Sequence, residues 1–315
     1  MRFSYDPTMA TGWGNRGYNW EASTSIQHEL MPRVSANVAY FRRSYGNFLV
    51  TDNLAVGPAD YDEFCVTAPR DARLPGGGGQ QICGLFDLKP SKVGLTDNLR
   101  TFAKNYGDQY EHHDSVDLTL DGRLSKGVLL QGGLSTTRSV SDNCDVVTKI
   151  DNPSTRFCHV ATPFLTQLKF HGTYALPWAL QIAATYKNTP GTGIPDGIGS
   201  LTTGVRGVRA TYVATNAEVT PSLGRPLSSS TFVTLPLIAP GEKYLDRVQQ
   251  LDVRLVRTFS TGRLRTKAMI DVYNLFNAST VVLVTDTYGT TGAAWLRPEQ
   301  ILLGRYAKLG IQMTF

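Results

Sequence analysis

The densest group of potential metal ligands in the chain is Glu111-His112-His113-Asp114. In an extended segment neighbouring side chains point to opposite faces, so these two histidines share one metal only if a bulge intervenes. Solvated residues at a strand end are the better reading, and no metal site is assigned. The run Gly76-Gly77-Gly78-Gly79 lacks a following Lys-Ser/Thr and a preceding strand, which makes it a flexible loop and not a phosphate cradle. No GxSxG occurs and no separated Ser, His and Asp can be assembled, so neither catalysis nor a cofactor is expected. What remains is a set of charges: Asp252 and Arg254 at alternate positions, then Arg265, Lys267 and Asp271 on the following segment.

Those charges sit where alternation is clearest. Leu251, Val253 and Leu255 oppose Gln250, Asp252, Arg254 and Thr258; Ser260-Thr261-Gly262 then turns into Leu264, Thr266, Ala268, Ile270 and Val272 against Arg265, Lys267 and Asp271. Period two means strand, and the pair reads as a hairpin with one apolar and one ionic face. The same pattern recurs with Trp20, Ala22, Thr24, Ile26 and His28, with Val34, Ala36, Val38 and Tyr40, and with Val116, Leu118 and Leu120. It returns with Val128, Leu130 and Leu134, with Phe164, Leu168, Phe170 and Tyr174, and with Leu180, Ile182, Ala184 and Tyr186. The terminal RYAKLGIQMTF places Ala307, Leu309, Ile311, Met313 and Phe315 on one face, with no polar tail after Phe315. The expectation is all-β.

The connections alternate as well. Short turns at 31–33, 125–127, 176–178 and 260–262 interleave with long polar segments near 51–110, 141–161, 188–243 and 277–298. An up-and-down barrel in an outer membrane has this asymmetry, with short periplasmic turns and long external loops. Trp20, Tyr40, Phe41, Tyr45, Tyr186, Phe259 and Phe276 lie at strand ends, where aromatic girdles sit. The apolar face then meets lipid and the ionic face a wet lumen. There Asp252, Arg254, Arg265, Lys267 and Asp271 pair between strands or contact a solute or plug, and Asp271 is the choice for a plug or lumen network.

Composition limits the alternatives. Of 315 residues, 41% are hydrophobic and 18% charged, the latter below the roughly 25% of soluble domains. No run approaches the ~18 apolar residues of a membrane helix. The net charge of +5 is scattered along the chain, so nucleic acid is not an expected partner. Met1-Arg2 opens no secretory signal; the signal has been removed or the chain begins inside a longer protein. The four cysteines, Cys65, Cys83, Cys144 and Cys158, lie in loop-like sequence without CxxC spacing. They read as two disulfides formed in an oxidising compartment. Three connectivities are open, of which the local one closes the shortest loops.

Following strand direction backwards from Phe315 counts about nine strands; segments near 205–214 and 230–238 form a further hairpin that either projects from the membrane or crosses it and makes the count about eleven, and 98–107 extends the following strand outward. Either count is odd and begins outside, whereas bacterial single-chain barrels are even-stranded. The expectation is a single barrel segment over 1–315, the C-terminal part of a larger barrel, with the remaining strands before Met1 or from another chain.

Three stretches carry a resemblance: YDPTMATGWGNRGYNWEASTSIQHELMPRVSANVAYFRRSYGNF at 5–48, DVYNLFNAS at 271–279 and WLRPEQILLGRYAKLGIQMTF at 295–315. Together they resemble the C-terminal barrel half of TonB-dependent outer-membrane receptors, particularly the type with an N-terminal carboxypeptidase-regulatory-like domain. Its most specific elements are Tyr273-Asn274-Leu275-Phe276-Asn277 and the final strand ending in Phe315. The resemblance implies a barrel of about 22 strands around an N-terminal plug. It further implies energy from the inner-membrane TonB complex, nutrient binding by loops and lumen, and a terminal strand read by the barrel-assembly machinery. Plug and TonB box are not visible in these residues. Uptake of a ferric chelate, cobalamin or glycan is the leading expectation, with a cell-surface adhesin-like sandwich or a passive porin as alternatives.

Overall fold

A computed structural model describes residues 2–124, 127–191 and 207–315. The expected turn residues Ser125 and Lys126, and 192–206 of the long segment 188–243, lie outside the described residues.

The wall is an antiparallel meander of nine long strands, each bonded to its predecessor and successor in chain order. They are Tyr18–Met31, Val34–Gly46, Tyr110–Arg123, Leu129–Asp142, Leu165–Leu176, Leu180–Gly191, Leu245–Thr261, Leu264–Tyr273 and Tyr306–Thr314. A tenth, short strand, His159–Ala161, pairs beside Val140, Ser141 and Asp142. Tyr18–Met31 and Tyr306–Thr314 each bond to one neighbour and not to each other, so the sheet is open. The tight turns take their left-handed positions at Arg33 (φ 71°), at Trp178 and Ala179 (φ 61° and 55°) and at Gly262 (φ 58°). Positive φ at both central residues is the two-residue hairpin geometry that matches strand twist.

Register puts apolar side chains in lateral rows across the wall. Tyr174, Ile182, Leu255, Ile270 and Leu309 are successive partners on five strands. Ile26, Val38, Leu118, Leu134 and Leu168 form a second row. No second layer covers this face among the described residues: Ile26 is 76% exposed, Leu309 77% and Ile311 71%.

The buried core lies elsewhere. Phe64, Val66, Leu74, Ile82, Tyr212, Val219, Leu235, Tyr288 and Trp295 belong to one cluster drawn wholly from the long connections. In it the hairpin of Tyr61–Thr67 and Gln81–Leu88 meets a small sheet in which Thr211–Thr215 lies between Phe232–Pro236 and Thr287–Gly289. A helix, Asn216–Leu223, packs on the hairpin. It starts where Glu218 accepts the Thr215 N–H (2.8 Å), a capping box that satisfies an otherwise orphaned donor. Together these elements form a cap at the loop end of the wall.

Several expectations change. Of the two arrangements open to the segments near 205–214 and 230–238, the projecting hairpin is found: Thr211–Thr215 pairs with Phe232–Pro236 in the cap and not in the wall. The segment 98–107 does not extend a wall strand. Asp97–Phe102 joins a separate sheet between Arg2–Tyr5 and Leu49–Asn53, and the 3-10 turn Ala103–Asn105 breaks it from Tyr110. Gly76 to Gly79 form an ordered turn with positive φ throughout, and Gly78 leaves only 2.0 Å between a would-be Cβ and the Pro69 carbonyl oxygen. Glycine is there because the chain passes too close for a side chain. Phe41 and Tyr45 lie on the face opposite Trp20 and Tyr40, because odd and even positions of one strand cannot share a side; Tyr45 stacks edge-on to His113 instead.

Candidate functional site

The strand pair Leu245–Thr261 and Leu264–Tyr273 sets Arg254 opposite Asp271 and Thr258 opposite Lys267, with Ser260 opposite Arg265. Asp252, Arg254, Arg265, Lys267 and Asp271 thus share the polar face of the strand pair, the one expected to be wet. Lys308 joins them as the partner of Asp271 on the last strand. Arg254 clamps Asp271 from two nitrogens, Nε at 2.5 Å and Nη2 at 3.0 Å, and the carboxylate is buried while the guanidinium is half exposed. A bidentate fork of this kind fixes orientation as well as charge. Beside it, Ala183 and Thr185 leave a hollow of about 230 Å³ that reaches His171, Asp252 and Tyr273.

Asp252 has a different role from its neighbours. It accepts the Asn274 N–H (2.8 Å) and two contacts from Gln250 Nε2 (2.8 and 3.0 Å). Asn274 is buried, at left-handed φ 48°, and its side chain donates to the carbonyls of Ala278 (2.9 Å) and Leu303 (2.8 Å) while accepting from the Ala278 N–H (3.0 Å). Asn277 Oδ1 accepts the Arg305 N–H at 2.9 Å. The Tyr273-to-Asn277 motif is therefore a corner: two asparagines tolerate positive φ and tie the end of one wall strand to the start of the last. Arg265 and Lys267 sit toward the turn end with no carboxylate beside them among the described ion pairs. Phe315 is fully exposed at the end of the last strand.

His112 and His113 point to opposite faces. His112 lies 3.5 Å from Asp114, while His113 contacts Ser139 Oγ at 2.6 Å and Glu111 at 3.3 Å.

The cap is tied by groups that sequence reasoning did not single out. Arg225 donates to Asp62 (2.8 Å) and to Asp87, and Ser228 adds two bonds to Asp87. Arg73 donates to the carbonyls of Trp295 (2.8 Å) and Gly292 (2.7 Å) and pairs with Asp71. Hydrogen bonding from Arg73 holds the Asp71 carboxyl well below the usual carboxylate range. Burial, reinforced by its bond to Asp52 at 2.7 Å, pushes the Tyr106 phenol up. Disulfides join Cys65 to Cys83 and Cys144 to Cys158, with Cα atoms 4.1 and 4.8 Å apart. Between cap and wall lies a cavity of about 510 Å³, lined by Tyr110, Asp142, Phe157, Val160, Val208 and Ile238 among others.

No family model and no curated protein matches this chain. Among solved structures it is similar to the outer membrane transporter YddB from Escherichia coli, at 14% identity and a TM-score of 0.44, over 94% of this chain and 32% of that one. The chain spans about a third of that structure's length.

The wet-face pairings were open to sequence reasoning because a hairpin makes its partners local. The cap contacts were not: Arg73 meets Trp295 across 222 positions and Arg225 meets Asp87 across 138. Trp295, a large apolar group inside a polar loop, was a signal for a buried core, although Trp13 in a polar segment of its own is fully exposed.

Proposed function

We propose that this chain is part of the wall and external cap of an outer-membrane β-barrel that takes up a bulky nutrient, a receptor of the TonB-dependent type that its C-terminal motifs resemble. One observation carries the membrane reading. On strand Leu245–Thr261 the side chains of the apolar face run Arg247, Gln249, Leu251, Val253, Leu255, Arg257, so charges bracket an uncharged interval. From 247 to 257 is ten steps, about 33 Å of strand at about 3.3 Å each, or about 23 Å along the membrane normal at a tilt near 45°. An outward apolar band is about 25 Å tall. A soluble sandwich would need a second layer over Ile26, Ile270 and Leu309, and no described residue supplies one.

The wet face supplies the surface a solute would meet, with the Arg254 and Asp271 pair as its ordered charge. The substrate class, a ferric chelate, cobalamin or glycan, and the coupling to a plug and the TonB complex follow from the resemblance.

The chain is expected to stay folded only in detergent or vesicles, and in vesicles the wall strands should resist added protease while the cap is cut. A monomer that remains folded without detergent overturns the membrane reading. Uptake is tested in cells carrying the complete gene, where Arg254→Ala should lower nutrient accumulation without lowering the amount of receptor in the membrane.

A further inference from the structure

Three parts of the chain meet at the cavity of about 510 Å³ between cap and wall. Tyr110 and Asp142 come from wall strands, Phe157 and Val160 from the connection that follows, and Val208 and Ile238 from the cap. The lining is mainly apolar, and Tyr110, Phe157, Pro236 and Pro240 make much of it flat and stiff. Phe157 is held in a costly conformation, with φ 60° in the left-handed region that bulky side chains avoid. The Cys144 to Cys158 bridge and the bond from the Asn143 N–H to the Cys158 carbonyl (3.1 Å) pin the chain beside it. Arg156 lies 4.6 Å from the Phe157 ring centroid and donates from Nη2 to the Pro236 carbonyl, so one cation braces two pieces of the cavity wall.

The cations here lack the partners that the carboxylates have. Asp142 is taken by His159 (2.7 Å) and the Cys144 N–H (2.9 Å), and Glu111 lies 3.3 Å from His113. Arg156 is half-buried, its Nε is enclosed without a hydrogen-bond partner, and among the described residues no carboxylate pairs with it. Burial alone pulls its pKa below the usual guanidinium value. Arg209 lines the cavity and engages through its main-chain carbonyl, which accepts from Trp295 Nε1 at 2.6 Å, while its guanidinium has no partner among the described residues. Gln109 and Asn143 line it too, with side-chain amides that make no hydrogen bond there among the described residues.

These features select a ligand. Flat apolar walls suit an aromatic ring, and a free guanidinium fork suits a carboxylate. A doubly charged phosphate is disfavoured, because Asp142 and Glu111 stand in the same lining. The volume lies within the roughly 300–1,000 Å³ of sites for small organic molecules, too little to enclose the bulky nutrient proposed above.

We propose that this cavity binds a small aromatic carboxylate, with its ring against Phe157 and Pro240 and its carboxylate on Arg209, and that the ligand fastens cap to wall. The site is separate from the transport reading and does not rest on it.

The test titrates the full chain in dodecylmaltoside micelles with 2-naphthoate by calorimetry, with protein-free micelles as the blank. Binding should saturate and be roughly tenfold tighter than that of 2-naphthamide, which has the same shape without the charge. Arg209 is exposed, so Arg209→Gln keeps the fold, with an unchanged protease pattern as the check. It should weaken naphthoate roughly tenfold and leave naphthamide as it was. Val160→Trp fills the cavity without touching a charge and should abolish binding of both, whereas Arg263→Gln at the turn end of the wall should change neither. Bound naphthoate should slow hydrogen exchange at 109–111 and 141–143 together with 207–211. Equal affinity for the two probes, Arg209→Gln equal to wild type, or heat that never saturates above the blank overturns the site. Slowing confined to 207–211 overturns the fastening of cap to wall. A chain that folds without detergent is titrated in buffer alone, so loss of the membrane reading leaves this test standing.

Discussion

Wall and cap are built from one chain and keep their apolar residues in opposite places. In the nine wall strands the only buried hydrophobic residues are Ala39 and Val140 among those described, while Leu309, Ile311 and Ile26 stand bare on one face. The cap, made from the connections, encloses Phe64, Val66, Leu235 and Trp295 as an ordinary globular core does. Burial is a relation between a side chain and its solvent, and the proposed membrane reading accounts for the difference by giving the two regions different solvents. The cap excludes water by packing protein on protein. On the proposed membrane reading the wall excludes it by meeting hydrocarbon, and the strands between the two open edges satisfy their backbone groups strand to strand.

The sharpest way to break the comparison is to damage one region and watch the other. Trp295→Ala empties the centre of the cap and should cost roughly 3–5 kcal/mol of cap stability. Hydrogen exchange should rise through Tyr61–Thr67 and Thr211–Thr215 and stay slow in the wall; exchange that rises equally in both would make wall and cap one cooperative unit.

Next in size is a charge on the dry face. Val253→Arg, placed midway between Arg247 and Arg257, should reduce folding into lipid by roughly 2–4 kcal/mol, whereas Gln312→Arg on the wet face should stay within about 0.5 kcal/mol. Asp252, although on the wet face, is not a neutral site for such a control, because it holds the Asn274 N–H. Equal losses at 253 and 312, read from denaturant titrations in vesicles, would reverse or abolish the assigned faces.

Reducing the Cys65 to Cys83 bridge, whose ends are 18 positions apart, should destabilise the cap by about 3 kcal/mol on the loop-closure account. Protease should then cut between residues 65 and 83, with wall fragments unchanged.

The smallest effect is on acid stability. Asp71 has a folded pKa depressed by its hydrogen bonds from Arg73. A depressed carboxylate contributes stability that is fully present above its unfolded pKa near about 4 and is lost as pH falls through the folded value. Cap unfolding should therefore become easier below about pH 4 in wild type, and Asp71→Asn should flatten that dependence. An unchanged slope in Asp71→Asn would remove this pair from the cap's acid response.

The wall was legible because alternation is local. Val253 and Asp252 declare opposite faces whatever else the chain does, and a turn such as Ser260-Thr261-Gly262 hands its register to the next strand. Even so, alternation had to be applied strictly: Phe41 and Tyr45 are aromatic and near a strand end, yet their odd positions put them on the wet side. The Tyr273-to-Asn277 run was visible as a motif, while its action as a corner was not, because Leu303 lies 29 positions from Asn274.

What the sequence by itself determined is the two-faced strand and its order in the sheet, since both follow from steps of two along the backbone and from short turns. What only the tertiary structure decided is where the long connections bury their apolar residues and which charges end up alone. Arg138 stands opposite Asp114 only because two strands adopt one register, while that carboxylate bonds to Tyr40 and Arg42, and Trp295 is a core residue only because loops far apart in sequence close over it. Contacts of that kind depend on which distant segments exclude solvent together, and no local period records them.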